Sequence, residues 1–196
     1  MKRQQKITQR IAAFTLGVIL TLGTTAYAAD NVGIGDIAGV DADLADSNVF
    51  TLLSSTPTLF KAAFLTADNT ALTSGDTLPA GTSVDFLIYL SNDADLAVLD
   101  VGIQDTLVGF TYVPNSIRVL NTTAECATPL ACTPAEELSI YNDARVVAIS
   151  TDAINDDNAS FTGTTVEVGN NVTAGNTQQD AAANVVLALV FTATLD

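Results

Sequence analysis

The chain has 196 residues, of which 22 are acidic, seven basic and none histidine, for a formal charge of −15. So acidic a surface repels nucleic acid and anionic lipid. The lack of histidine removes the commonest general base and metal ligand.

The bases are unevenly spread. Lys2, Arg3, Lys6 and Arg10 precede the apolar run from Ile11 to Leu22, and no acid occurs before Asp30. With Ala26 and Ala28 at the −3 and −1 positions, residues 1–28 read as a secretory signal peptide rather than a retained anchor. Its removal leaves 22 acids against 3 bases and a mature form with no call on the membrane. Residues 29–56 form an Asp-rich extension in which Val32 and Ile34, then Val40, Ala42 and Leu44, alternate with glycine or polar residues. Two readings stay open for it. It is an edge strand or disordered leader of its own domain, or it is a donor strand that completes the sheet of a second copy.

Residues 57–196 carry the signals of an all-β domain, an antiparallel sandwich. At about 140 residues it can bury roughly two-thirds of its unfolded surface, so it folds without staples. Leu59 to Leu65 is the first strand, followed by a polar loop from Ala67 to Pro79. Val84, Phe86, Ile88 and Leu90 alternate with Ser83, Asp85, Leu87 and Tyr89, the period of a strand. Ser91-Asn92-Asp93 is a turn. Leu99, Val101 and Ile103 alternate in a second strand; Phe110 to Val113 and Ile117 to Leu120 flank a Pro114-Asn115 turn. Thr122 to Glu137 reads as a loop carrying Cys126 and Cys132, which export would join in a local disulfide. Leu138 to Tyr141 and Arg145 to Ser150 read as a hairpin about Asn142-Asp143. Phe161 to Val168 is a further strand, and Gly169 to Ala183 a long polar loop. Val185 to Leu195 is apolar on both faces and belongs at the centre of a sheet.

Few residues carry chemistry. Asp152, Asn155, Asp156 and Asp157 crowd one loop with hard oxygen ligands, and calcium is the metal they would take, although their spacing lacks the EF-hand order. Simple solvation of that loop is the rival reading, and no other cofactor is implied. Lys61 falls in the apolar first strand; snorkelling at a strand edge is favoured over an isopeptide bond to Asn184. No serine has a visible basic partner, and no glycine-rich loop precedes a helix, so the chain is not expected to be an enzyme.

One stretch resembles a known family. Gly81, the Tyr89-Leu90-Ser91-Asn92 segment, Asp105-Thr106-Leu107 and Phe110 through Ser116 are similar to the conserved-repeat domain of microbial surface proteins, domain of unknown function eleven. The likeness runs from about Pro57 to Asp196, with Val108-Gly109 in place of the family's usual Pro-Ala-Gly. It implies an immunoglobulin-like sandwich at a cell surface. The expected role is a secreted structural protein: a subunit of an extracellular filament, surface layer or biofilm matrix that self-associates into a homopolymer. The alternative is an adhesin or ligand-binding sandwich module.

Overall fold

The computed structural model describes residues 59–124, 126–127, 132–170 and 175–196, and the backbone of four short strands between residues 28 and 53. The chain divides into two compact units, residues 1–54 and 55–196. In the first, β1 (Ala28–Asn31) pairs antiparallel with β4 (Phe50–Leu53), and β2 (Ile34–Asp36) with β3 (Leu44–Asp46). The second ladder is nested in sequence within the first.

The second unit is organised around two long strands. β7 (Ser83–Asn92) and β13 (Val185–Leu195) pair over ten residues, from Asn92↔Val185 to Ser83↔Thr194. Neither contains Gly or Pro, and both are rich in β-branched and aromatic residues, which suits a continuous ladder. β5 (Leu59–Leu65) flanks β7, with the two-residue β6 (Ala71–Leu72) beyond it. β10 (Arg118–Ala124) and β9 (Phe110–Tyr112) flank β13. A second sheet runs β11 (Ala159–Thr162), β12 (Thr165–Val168), β8 (Ile103–Thr106). Every named pairing is antiparallel, and the unit is an all-β, sandwich-like fold with one helix.

Alternation along the central strands sends residues to two cores. Ile88, Leu90, Leu187, Leu189, Phe191 and Ala193 pack against Ile103, Ala159, Val166 and Val168 of the second sheet. Leu87, Tyr89, Val186, Ala188 and Val190 face the other way, against α1 (Pro134–Arg145) and the cysteine pair. The both-sided apolarity of β13 therefore marks a strand covered on both faces.

Several sequence expectations are corrected. The strand expected through Leu99, Val101 and Ile103 starts only at Ile103, as β8, and Leu99 is exposed in the preceding segment. The hairpin proposed about Asn142-Asp143 is the helix α1. Thr133 caps it by accepting from Glu136 N–H, and the Glu136 side chain accepts from Thr133 N–H, a reciprocal capping box with Pro134 in the first turn. Phe161 to Val168 is not one strand but the β11–β12 hairpin, turned at Gly163 with φ 65°. The loop proposed from Thr122 begins as strand, since β10 extends to Ala124. Gly169 explains another local choice: with φ 84°, a Cβ there would lie 2.2 Å from the Val101 carbonyl oxygen.

Candidate functional site

Asp85 lies on the helix-facing side of β7 and is 2% exposed. A lone buried carboxylate is costly unless hydrogen-bonded. Here Thr66 and Thr192 donate hydroxyls to Oδ1 at 2.9 and 2.7 Å, and Tyr141 donates to Oδ2 at 2.6 Å. Arg145 Nε stands 3.7 Å from the same Oδ2. Burial, with the Asp85 carboxylate beside it, pushes the Tyr141 phenol well above its ordinary value.

Above this network opens a cleft of about 310 Å³, lined among others by Asp85, Asn115, Ser116, Arg118 and Arg145. Both guanidiniums are half-buried and held in place. Arg118 Nη1 donates to the Val147 carbonyl at 2.7 Å. Arg145 donates to the Asn69 side chain and lies over the Tyr141 ring, 5.3 Å from its centroid. The Pro114-Asn115 turn forms the opposite wall, with Asn115 in the left-handed region at φ 56°.

The sequence offered a clue to Asp85. Leu87 and Tyr89 share its face, and apolar residues on a nominally polar face mean that the face is covered. The arginines could have been singled out by scarcity, because Lys61, Arg118 and Arg145 are the only bases after residue 10.

The disulfide Cys126–Cys132 is formed, with both cysteines buried. Its role is positional: Cys126 N–H donates to Ser91 Oγ at the end of β7, and Ala127 N–H to Glu136 Oε1 in the first turn of α1. The crosslink thus fixes the start of the helix against the end of the sheet. The Ala127 and Thr133 hydrogen bonds hold the Glu136 carboxyl below the usual carboxylate range. Tyr89 reaches the same helix, donating its hydroxyl to Glu137 at 2.7 Å.

The acidic loop serves itself. Asp152 accepts from Tyr112 OH at 2.5 Å and from Asn115 N–H at 2.9 Å. Asp157 accepts from the N–H groups of Thr151 and Ala159, and Asp156 from the Thr151 hydroxyl. Asn155 sits at φ 66°, a turn position. Asp152, Asp156 and Asp157 thus brace turns and strand ends of their own loop. Among the described residues no group of three or more His, Cys, Asp or Glu could hold a metal ion.

Lys61 is bound to Asp105 at 2.6 Å and lies over the Phe86 ring, 4.5 Å from its centroid. It pairs across β5 with Ile88, so β7 separates it from β13 and from Asn184. No isopeptide geometry exists there. Of the donor-strand residues, Ile34 stands opposite Asp46 and Leu44 opposite Asp36. Val32, Val40 and Ala42 lie outside the described residues.

A second cleft of about 250 Å³ is lined by Phe110, Tyr112 and Phe161. Tyr112 and Phe161 stack at 4.1 Å, so their facing surfaces are spent on each other rather than offered as a flat platform. Burial and the bond to Asp152 push the Tyr112 phenol up to about 12. Among the described residues no helix is long and apolar enough to cross a membrane. Comparison with protein-family models, with curated proteins and with solved structures finds no match to this chain.

Proposed function

We propose that the chain is a secreted, non-catalytic structural protein, a conserved-repeat, immunoglobulin-like sandwich whose copies associate into an extracellular filament, surface layer or matrix. The observation that carries this reading is the outer edge of β5. β6 pairs only with Ala63 and Phe64, and the rest of the strand, from Leu59 to Ala62, has no partner strand on that side among the described residues of its unit. Leu59 at its start is 50% exposed. An edge of this kind is a template for another chain's strand unless charge blocks it. Here the one charged residue is Lys61, which is engaged with Asp105.

The partner in this scheme is a strand from residues 29–53 of a second copy, seated by main-chain hydrogen bonds. In each copy that segment is folded as two short ladders, each of two strands and so with open edges of its own. Ladders so short gain little from pairing alone. The disulfide suits an oxidising compartment. The test is deletion of residues 29–53. The shortened chain should keep the spectroscopic signature of the sandwich and elute as a monomer, while the parent associates. Equal association by both chains would remove the mechanism.

A further inference from the structure

We infer that the cleft between the Pro114-Asn115 turn and α1 is a binding site for an oxyanion, a carboxylate or phosphate group held by Arg118 and Arg145. The site itself does not depend on the assembly proposal; only the choice between its two sources does.

Charge placement is the first argument. Only three bases follow residue 10, in a chain that carries 22 acids, and two of the three line this one cleft. The sole acid in the lining is Asp85, whose charge is spread over three hydroxyl donors from Thr66, Thr192 and Tyr141. The lining therefore carries a net positive charge inside a strongly negative molecule. A concave, partly buried setting strengthens that local field relative to open surface.

Spare donors are the second argument. A guanidinium has five N–H groups in a rigid fork that matches a carboxylate or phosphate. Arg118 spends one on the Val147 carbonyl, and Arg145 spends one on Asn69 with Nε turned toward Asp85. The remaining N–H groups have no protein partner among the described residues. Both side chains are nevertheless tethered: Arg145 by the Tyr141 ring, Asn69 and Asp85, and Arg118 by the Val147 carbonyl. Ordering two long side chains before a ligand arrives lowers the entropy lost on binding.

The room is adequate. A cleft of about 310 Å³ admits a small oxyanion with bridging water, or the end of an aspartate or glutamate side chain. Asp152 does not compete for the arginines, because its oxygens are occupied by Tyr112 and the Asn115 N–H. Such a group reaches the site from one of two sources, a free anion or an acidic side chain of a second copy.

The experiment is a titration of the full chain with inorganic phosphate at constant ionic strength, balanced with chloride. It is followed by the arginine Nε–H resonances in ¹H–¹⁵N spectra. The Arg118 and Arg145 signals should shift together and saturate. Arg118→Gln should weaken the saturable shift of Arg145 at least about tenfold, with the amide spectrum otherwise unchanged. Arg118→Lys, which keeps the charge and loses the fork, should fall between. Shifts that stay linear with concentration, or that are the same in Arg118→Gln, overturn the proposal. Light scattering at saturating phosphate then separates the sources. Loss of self-association assigns the site to a carboxylate of a second copy, and unchanged association assigns it to a free oxyanion.

Discussion

On the side of the central sheet covered by β8, β11 and β12, Ile88, Leu90, Leu187, Leu189 and Phe191 meet Ile103, Val166 and Val168 in a core of aliphatic and aromatic side chains. On the side covered by α1, Leu87, Val186 and Val190 share their space with a buried carboxylate, two tyrosine hydroxyls, an arginine and a disulfide. The first face draws most of its stability from area and fit, which depend weakly on pH or redox state, with Tyr112 the one ionisable side chain among its buried core residues. The second draws part of its stability from groups whose protonation and oxidation can change. Mutation and solution conditions should therefore separate the two faces.

The largest effect is expected on the first face. Phe191 is fully buried and packs against Phe86, with ring centroids 5.5 Å apart. Phe191→Ala should cost about 3–5 kcal/mol in urea unfolding, by lost transfer energy and the cavity left behind. On the second face, Asp85→Ala removes the acceptor of three hydroxyls and the partner of Arg145. It should cost about 3 kcal/mol, with Asp85→Asn closer to the parent because one acceptor oxygen remains.

Alkaline titration sharpens the contrast. Tyr89 and Tyr141 on the helix side, and Tyr112 in the first core, all have phenols raised above the ordinary value of 10.0. In each case burial is the first cause, and a carboxylate that accepts the phenol hydrogen adds to it. A raised folded-state value means that stability is fully present below pH 10. For Tyr112 it is lost between pH 10 and about 12, and for the other two at higher pH still. The urea midpoint should therefore fall above pH 10, and Tyr141→Phe should make that fall shallower.

Reduction of Cys126–Cys132 comes next, at about 2 kcal/mol or less for so short a loop. Its effect should be local: exchange protection should drop first in α1, whose start the crosslink fixes, and persist in β7 and β13. Thr133→Ala, which removes the cap alone, should cost about 1 kcal/mol.

The same contrast separates what could be read in the sequence from what could not. β5, β7 and β13 were legible because period-2 alternation and uninterrupted apolar runs are properties of a strand by itself. α1 was not, although Thr133-Pro134-Ala135-Glu136 is a capping box with proline in the first turn. Its buried residues are only Ile140, Tyr141 and Ala144, so its apolar stripe is narrow, and Tyr141 and Val146 to Ile149 carry β-propensity. Local capping outweighed that propensity. The split of residues 159–168 into a hairpin rests on Gly163 adopting positive φ, a cue that one glycine within a β-prone run gives only weakly. The Asp85 cleft joins residues from Thr66 to Thr192, and only the strand pairing brings them together. Single residues announced some of its parts, but not their convergence.

Assembly of copies of this chain, proposed above, is open to direct observation. The decisive experiment is negative-stain electron microscopy of the purified chain beside the chain lacking residues 29–53. The parent should form ordered filaments or sheets, and the deletion dispersed particles. Dispersed monomers from the parent even at high protein concentration would rule assembly out.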